Sequence, residues 1–422
     1  MARQEDLPSI ESKEPRFFYG YIIVLSASII MMLTFGLNYT FGVFFKPLIA
    51  EFGWTKAATS AAYSLCTLVA GFLGIFAGRL SDRLGSRIVG IACGFFLGLG
   101  FLLLSQINAI WQLYLFYGLI IAAGIGGIWP ALLPTVAKWF VARRGLMTGI
   151  VASGIGFGQI IVPPLASRLI SIYDWRPTYI IIGIITLVFM IVAAQFLKRD
   201  PHQIGQLPYG EDKVKQESSV SEARGFHFQA AIHTRQFWMI CIIYFCFGFC
   251  LHTVGVHIIP HATELGIPAI SAANILAAIG GASIVAKLVL GSASDRLGAK
   301  PSLVFSLILL LAAFLWLQIA RELWMLYLFS IVFGFGYAGT MTMQPLLTAE
   351  LFGLSSLGII LGSVTFAYTI GGAAGPVLSG RIFDITGSYS LAFLACAVLT
   401  VIAIILILSL TPLKREREKQ VA

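Results

Sequence analysis

Gly78-Arg-Leu-Ser-Asp82-Arg83-Leu-Gly85-Ser-Arg87 is a short charged segment that recurs as Gly291-Ser-Ala-Ser-Asp295-Arg296-Leu-Gly298-Ala-Lys300. The second copy follows the first by 213 positions (291 minus 78) in a chain of 422 residues. Each copy lies between two long apolar stretches. A charged turn at the same place in both halves of an apolar chain is typical of a duplicated helical membrane protein. The chain is therefore predicted to consist of two copies of one membrane unit.

The composition also indicates a membrane protein. Hydrophobic residues make up 58% of the chain, charged residues only 11%, and the mean hydropathy is +0.89. Ordinary soluble domains carry about 25% charged residues, so a soluble globular fold is excluded. The first apolar run begins at Phe17 and is too long for a signal-peptide core of about 7 to 15 residues. We therefore expect an amino terminus that is not cleaved and stays in the cytosol.

Apolar runs of about 20 residues, long enough to cross a hydrocarbon core of about 30 Å, predict twelve helices. They cover residues 20–46, 57–79, 87–108, 110–136, 146–172, 178–197, 237–260, 271–294, 301–320, 323–349, 357–385 and 390–411. The polar composition of 198–236 predicts a linker between two six-helix bundles. The predicted organisation is a tail at 1–17, bundles at 18–197 and 237–411, a linker at 198–236, and a tail at 412–422.

The distribution of basic residues predicts the orientation. With both termini inside, 21 of the 28 Lys and Arg residues lie on the inner side, six lie outside, and Lys287 lies within helix 8. This matches the positive-inside rule and predicts cytoplasmic tails and linker in the plasma (inner) membrane. The net charge of +9 then reflects membrane orientation, so the lipid bilayer rather than nucleic acid is the expected partner.

All six cysteines fall in apolar segments without a CxxC pair, which indicates packing rather than a metal site.

The repeated segment has a predicted mechanical role. Asp82 and Asp295 lie near the ends of helices 2 and 8, and the glycines after them permit a tight turn. An acid at this place pairs with donors at a neighbouring helix end and holds one side of the molecule shut. The alternative is a simple helix-end turn. We assign ten residues to this gating motif: Gly78, Asp82, Arg83, Gly85, Gly291, Asp295, Arg296, Gly298 and, between helices 4 and 5, Arg143 and Arg144.

The repeat extends to helices 5 and 11. Pro163 maps onto Pro376 and Arg168 onto Arg381 with the same offset of 213. The Gly-rich runs from Gly149 and Gly371 place small residues along helix faces, where helices pack closely. The architecture is therefore predicted to be six plus six.

These motifs resemble known families. The duplicated Gly-x-x-x-Asp-Arg-x-Gly turn resembles the signature of the major facilitator superfamily over the whole chain apart from the tails and the linker. Three stretches resemble the monocarboxylate transporter family within it, which is itself close to the oxalate/formate antiporters: Phe18-Tyr19-Gly20-Tyr21, Trp139-Phe140-Val-Ala-Arg143-Arg144-Gly145-Leu146-Met-Thr-Gly149-Ile-Val-Ala152-Ser-Gly154, and Trp175-Arg176. The resemblance implies an all-α membrane protein with two pseudo-symmetric six-helix bundles. It also implies small carboxylate substrates such as lactate, pyruvate or acetate, and a carboxylate-binding cation on helix 8.

Lys287 occupies the place of that cation, and the residues alone point to it as well. A charged side chain near the centre of a membrane helix costs about 2.5 to 3.5 kcal/mol on insertion scales. Lys287 precedes Asp295 by eight residues, or about 12 Å of helix, which places it near the midplane. Snorkelling to the interface is the alternative. We predict that Lys287 binds the substrate carboxylate.

The number of buried cations predicts a monocarboxylate. Helix 11, where oxalate-exchanging relatives carry a second cation, offers Ser363, Thr365, Tyr368 and Thr369 instead. A dianion would need its second charge neutralised by hydrogen bonds alone, which is costly in a low dielectric.

Proton coupling is predicted through Lys287 itself or His257 on helix 7. The animal relatives carry an acid where this chain has Ser283, and a helix 1 lysine where it has Asn38 or Tyr39. Among the histidines 252, 257 and 261, His257 precedes a helix end expected at Pro260 and is predicted to face the outer half of the cavity. The alternative is a histidine satisfied by helix-end backbone or water.

The remaining cavity candidates are polar or aromatic residues on central helices: Asn38, Tyr39, Tyr117, Tyr337, Gln344 and Tyr368. Tyr39 and Tyr368 rank first among them, and packing is the alternative role of each. The predicted function is proton-coupled symport of a small monocarboxylate by alternating access. A carboxylate exchanger of the oxalate/formate type and a carboxylate receptor without transport remain alternatives. A drug antiporter is disfavoured because no acid lies mid-helix. An enzyme is not expected either, because the sequence contains no recognisable set of catalytic, cofactor-binding or metal-binding residues.

Overall fold

The structure is a computed structural model that describes residues 18–140, 144–209, 228–353 and 357–411. Within these ranges the side chains of residues 75, 79, 82, 144–145, 288, 291–296 and 357–358 are not described. Arg143 lies outside the described residues, as do the side chains of Asp82, Arg144, Asp295 and Arg296. The role predicted for these gating residues therefore stays a prediction.

Twelve helices long and apolar enough to cross a membrane make up the described part of the chain, which confirms the predicted number. They are α1 Gly20–Phe52, α2 Lys56–Leu84, α3 Ser86–Leu104, α4 Ile110–Trp139, α5 Arg144–Tyr173, α6 Trp175–Gln195, α7 Arg235–Glu264, α8 Ala269–Leu297, α9 Ala299–Leu317, α10 Leu323–Phe352, α11 Leu357–Thr386 and α12 Ser390–Ser409. The segment Tyr114–Ile121 of α4 is π-helical. Each helix is apolar on most of its circumference, because it contacts lipid on one side and other helices on the other.

Several helix ends differ from the prediction. Helices α2 and α8 continue past the positions of Asp82 and Asp295, and the turns come at Gly85 and Gly298. Both glycines have positive φ angles of 87° and 88°, a conformation that side chains with a Cβ rarely adopt. Helix α7 does not end at Pro260 but continues to Glu264. A proline inside a membrane helix is tolerated where neighbouring helices satisfy the freed backbone groups.

The even number of spans places both described chain ends on one face of the bundle, here the terminal face. It carries Gly20, Gly85, Gly298 and Ser409. The opposite face carries the other turns, with Gly53, Gly266 and Gly387 in positive-φ conformations. At the terminal face, the two stretches that resemble the monocarboxylate transporters meet: the Phe18 ring lies 5.9 Å from Trp139 and 5.4 Å from Phe140.

The two halves repeat the same close helix contacts. A Cβ added to Gly158 on α5 would collide with the carbonyl oxygen of Met32 on α1. A Cβ added to Gly371 on α11 would collide with the carbonyl oxygen of Phe245 on α7. Both residues of the second pair follow those of the first by 213 positions. The repeat seen in the sequence is therefore a repeat of helix packing, and the fold is two pseudo-symmetric six-helix bundles.

Two helix pairs pack especially closely between the halves. Helix α5 packs on α8, where a Cβ at Gly156 would lie 2.5 Å from Ile284 and one at Gly280 2.6 Å from Gln159. Helix α2 packs on α11, where a Cβ at Gly71 would lie 2.7 Å from Thr369. Small residues on both pairs bring the backbones close together. These contacts enclose a central space between the halves.

Candidate functional site

A small cavity of about 60 Å³ lies between the two halves. Its walls come from six helices, three in each half. The lining residues are Phe35, Asn38, Tyr39, Tyr63 and Ile155 from α1, α2 and α5, and Leu251, His252, Tyr337, Met341 and Tyr368 from α7, α10 and α11. Three of the predicted site residues, Asn38, Tyr39 and Tyr368, are thus brought together, as is Tyr337.

Equivalent positions of the two halves contribute to the cavity. Six of the ten lining residues form three pairs at the same offset of 213, so Tyr39 corresponds to His252 and Ile155 to Tyr368. Asn38 likewise corresponds to Leu251. In each pair the two chemical types differ. The duplicated scaffold therefore encloses a site whose two walls offer different functional groups.

Hydroxyl and amide groups of the cavity are linked to one another. The Tyr63 hydroxyl donates to Oδ1 of Asn38 at 2.9 Å, which fixes the orientation of the Asn38 amide. The Tyr337 hydroxyl donates to Oε1 of Gln159 at 3.3 Å. Gln159 is buried at the contact between α5 and α8. These bonds hold the aromatic walls in place on both sides of the interface.

Two predicted residues lie behind the cavity wall. Ser283 is fully buried on α8, and its Oγ donates to the carbonyl oxygen of Gly280 at 2.7 Å. The hydroxyl of Tyr117 donates to the backbone carbonyl of Asn38 at 3.4 Å and supports it from α4. A third candidate, Gln344, donates to Thr365 at 3.2 Å in an exposed position nearer the terminal face.

His252 lines the cavity, whereas His257 does not, in contrast to the prediction for helix 7. His257 is fully buried toward the opposite face, with Nε2 2.8 Å from the carbonyl oxygen of Pro376 and Nδ1 3.2 Å from the Tyr389 hydroxyl. Because a carbonyl only accepts, Nε2 donates to it, and Nδ1 accepts from Tyr389. Ser60 on α2 lies 3.3 Å from the same Nε2, so the ring joins the two halves. The His257 ring thus belongs to the contacts that close the opposite face.

Lys287 reaches across the interface between the halves. Its Nζ donates to the carbonyl oxygen of Ala152 on α5 at 3.4 Å. Ala152 precedes the cavity residue Ile155 by three positions, which is about 4.5 Å of helix. The Lys287 ammonium thus lies about one helical turn from the cavity, on the side of the terminal face. The sequence predicted the buried cation, while its partner is a backbone carbonyl of the other half.

Two of the four glycines in the predicted gating motif, Gly85 and Gly298, lie in the turns between helices at the terminal face. Gly85 and Gly298 follow α2 and α8 in positive-φ conformations, and a Cβ at Gly78 would lie 3.6 Å from Pro130. Arg83 is exposed at the end of α2. The backbone of Gly291 is helical within α8.

The opposite face is closed by residues that the sequence reading did not select. Asp384 on α11 accepts the backbone N–H groups of Lys56 and Ala57, each at 2.9 Å. Lys56 forms an ion pair with Glu264 of α7 at 2.8 Å, and its Nζ lies 3.2 Å from the centre of the Phe383 ring. All these contacts join the two halves. The sequence contained a signal for this contact. Asp384 lies near a helix end, and the first turn of α2, which begins at Lys56, has free backbone N–H groups that an acid can bind.

The comparisons with known proteins agree with this architecture. The sequence profile of the Major Facilitator Superfamily matches residues 27–285 and 253–422. Human monocarboxylate transporter 12 is 24% identical, with 95% of this chain and 82% of that protein aligned. Rat monocarboxylate transporter 13 is 27% identical over 89% of this chain and 85% of its own length. The uncharacterized MFS-type transporter YhjX of Escherichia coli (strain K12) is 26% identical over 83% and 85%.

Among solved structures, a bacterial homolog of the human lysosomal transporter Spinster, in an inward-facing and unoccupied conformation, superposes with a TM-score of 0.67. That match covers 92% of this chain and 94% of the other at 14% identity, so it bears on the fold alone. The profile, in contrast, covers most of the sequence, including both six-helix bundles. This chain is a multi-pass membrane transporter that belongs to the Major Facilitator Superfamily and is similar to its monocarboxylate transporters.

Proposed function

We propose that this transporter carries a small monocarboxylate such as lactate, pyruvate or acetate together with a proton, by alternating access. The observation that carries the proposal is the contact of Lys287 with Ala152 across the interface, one helical turn from the central cavity. The printed names of two relatives, monocarboxylate transporters 12 and 13, support the substrate class. Twelve spans with positive loops on one side support cytoplasmic tails in a plasma membrane.

Lys287 is suited to bind a carboxylate because its present acceptor is weak. Hydrogen bonds from an ammonium to a carboxylate are about 2.7 to 2.9 Å long. The bond to the Ala152 carbonyl is 3.4 Å long and offers no opposite charge. When α5 moves away from α8, this acceptor is lost. A substrate carboxylate then supplies the negative charge that the half-buried ammonium lacks.

The size and polarity of the cavity support a small substrate. A volume of about 60 Å³ is far below the roughly 300 to 1,000 Å³ of pockets for drug-sized ligands. Water needs about 10 to 15 Å³ by the same kind of measure, so the cavity has room for a few water molecules. Tyrosine hydroxyls and the Asn38 amide line it alongside Phe35, Leu251 and Met341. A substrate with a short apolar part and one polar end fits these walls.

The packing between the halves supports alternating access. On the α2–α11 interface at the opposite face, a Cβ at Gly380 would collide with the backbone of Lys56 and Ala57 at 2.9 Å. Near the terminal face, a Cβ at Gly149 or Gly362 would meet no described atom within 4 Å. This difference supports halves that are packed together at the opposite face and separated at the terminal face. Rocking about the central contacts would reverse this arrangement.

The charge balance of the site supports the proposed proton coupling. A carboxylate that enters alone changes the net charge of a low-dielectric site, which raises the barrier to reorientation. A carboxylate that enters with a proton leaves the net charge unchanged. Symport therefore removes this electrostatic barrier. An exchanger of bare anions avoids the same barrier only because a second anion occupies the site on the return step.

The test is lactate uptake into proteoliposomes with and without an acid-outside gradient. We expect the gradient to accelerate uptake, and Lys287→Ala to weaken binding by about 2 kcal/mol or more, roughly thirtyfold. Lys46→Ala, a change of an exposed lysine at the end of α1, is the matched control and should transport normally. Full activity of Lys287→Ala would contradict the proposal. Uptake that requires internal carboxylate and ignores the gradient would identify an exchanger, and binding without transport would identify a receptor.

A further inference from the structure

We infer that His252 carries the co-transported proton on Nε2 while the substrate carboxylate occupies the cavity. This inference rests on the proposed function and names the residue that couples it to protons. The proposed substrates are then the monocarboxylates that can contact the Lys287 ammonium and the His252 imidazole at the same time. The relevant observations are the hydrogen bonds of the His252 ring, its surroundings and its depth in the bundle.

One ring nitrogen of His252 has a set role. Its Nδ1 lies 3.0 Å from the carbonyl oxygen of Gly248, one turn earlier in α7. A carbonyl oxygen only accepts, so Nδ1 holds a hydrogen in every protonation state. Nε2 lies on the other side of the ring, and in the described part of the chain no protein hydrogen bond engages it. The proton that can come and go is therefore the proton on Nε2, in a side chain that lines the cavity.

The packing of α7 against α11 places the imidazole between the two halves. A Cβ at Gly372 would lie 2.5 Å from Nδ1, so the ring occupies space that only glycine leaves open. The ring centre of His252 lies 5.9 Å from that of Tyr63 on α2 and 5.3 Å from that of Tyr368 on α11. Aromatic faces within about 6 Å attract a cation. The two tyrosines, one in each half, thus accommodate the protonated ring.

The groups around His252 leave its protonated form without an anion. Tyr39 faces the cavity from α1, Tyr63 from α2, Tyr337 from α10 and Tyr368 from α11. Among the described residues these phenols are the titratable side chains that share the cavity with it, and the nearby charge on α8 is the Lys287 ammonium. A charge of the same sign opposes protonation, and a carboxylate favours it. Protonation of His252 and entry of a carboxylate therefore favour each other.

The depths of the two basic groups allow one small acid to contact both. His252 precedes the end of α7 at Glu264 by 12 residues, roughly 18 Å, and Lys287 follows the start of α8 at Ala269 by 18 residues, roughly 27 Å. In this structure the Lys287 ammonium lies at Ala152, on the terminal-face side of the cavity. When it releases Ala152, the lysine side chain, about 6 Å long, can turn toward the cavity and shorten the difference of roughly 9 Å.

The transport step balances in charge. In the empty state Lys287 is charged and His252 is neutral. In the loaded state one carboxylate and one proton on Nε2 have been added, so the net charge is the same. After the halves rock, the proton leaves Nε2 for the solution and the carboxylate leaves Lys287. One proton thus moves with each carboxylate.

The test compares three activities of the full-length protein in proteoliposomes. They are lactate counterflow at equal pH, lactate accumulation driven by an acid-outside gradient, and lactate-dependent proton influx reported by a trapped pH dye. Because His252 lines the cavity, we expect His252→Gln to keep counterflow at a reduced but measurable rate and to lose the other two activities. His233→Gln is the matched control, because His233 also bonds a carbonyl four residues earlier, at 2.7 Å, but lies exposed at the terminal face. We expect this control to retain all three activities.

Lys287→Arg separates the two candidate proton carriers, because an arginine does not release its proton. If His252 carries the proton, Lys287→Arg keeps lactate-dependent proton influx in proportion to its remaining rate of lactate counterflow. Counterflow without proton influx in Lys287→Arg would assign the proton to Lys287 and overturn the inference.

Unchanged proton influx in His252→Gln would also overturn the inference. Complete loss of counterflow together with proton coupling would overturn it as well, because that result would identify His252 as a positioning residue. Absence of lactate, pyruvate and acetate counterflow in the parent protein would instead contradict the proposed function.

Discussion

Asp384 at the end of α11 binds the first turn of α2 through the backbone N–H of Lys56, at 2.9 Å, and thereby joins the two halves of the transporter at the opposite face. The second carboxylate oxygen accepts the N–H of Ala57, also at 2.9 Å. A carboxylate at a helix amino terminus satisfies free backbone donors and interacts favourably with the helix dipole. The contact exists only while the opposite face is closed, so it stabilises that conformation.

We expect Asp384→Asn to shift the protein toward opening of the opposite face. An asparagine amide offers one acceptor and no charge, so the loss is about 1 kcal/mol, a several-fold change in the equilibrium. Spin labels at the exposed Gln106 and Ser388, one in each half, report the separation. Asp174→Asn is the control, since Asp174 accepts from Trp175 within one half at 2.7 Å. An unchanged distance distribution in Asp384→Asn would rule out this role.

The charge of Lys287 predicts which ligands stabilise the protein. In a thermal-shift panel, lactate, pyruvate and acetate should raise the melting temperature, and dicarboxylates should not, because one ammonium neutralises one carboxylate. Lys287→Ala should abolish the shift, and Lys46→Ala should preserve it. Stabilisation by dicarboxylates alone would argue against a monocarboxylate substrate.

Gly372 predicts a sensitive position beside the cavity. A Cβ there would lie 2.5 Å from Nδ1 of His252, so Gly372→Ala should displace the imidazole and cost about 1 to 3 kcal/mol of stability through overpacking. Gly362→Ala on the same helix meets no described atom within 4 Å and should be neutral or stabilising by roughly 0.5 to 1 kcal/mol. Melting curves and gradient-driven uptake check both. Equal behaviour of the two variants would show that the imidazole tolerates displacement.

The equivalent glycines of the two halves predict equivalent effects on stability. Gly158→Ala and Gly371→Ala each force a Cβ against a backbone carbonyl, and backbone cannot move aside as a flexible side chain does. We expect each to lower the free energy of unfolding by about 1 to 3 kcal/mol. Gly149→Ala serves as the control, because a Cβ there would meet no described atom within 4 Å. A large loss in only one half would indicate that the halves differ in packing at these positions.

The choice between His252 and His257 shows what the linear reading could and could not resolve. The two residues are five positions apart, which at 100° per residue separates them by about 140° around the helix. They therefore face different neighbours. The expectation of a helix end at Pro260 favoured His257, whereas α7 continues to Glu264. The offset of 213 contained the missing signal, because it pairs His252 with Tyr39, a residue already selected for the cavity.

By itself, the sequence determined the membrane setting, the twelve helices, the duplication and the buried cation at Lys287. These follow from apolar run length, the repeat at an offset of 213 and the cost of an intramembrane charge, all of which are properties of the linear sequence. Only the tertiary structure decided that Lys287 contacts Ala152, that His252 lines the cavity and that Asp384 binds the start of α2. Those contacts join residues more than a hundred positions apart. They depend on helix rotation and depth, which no local pattern specifies.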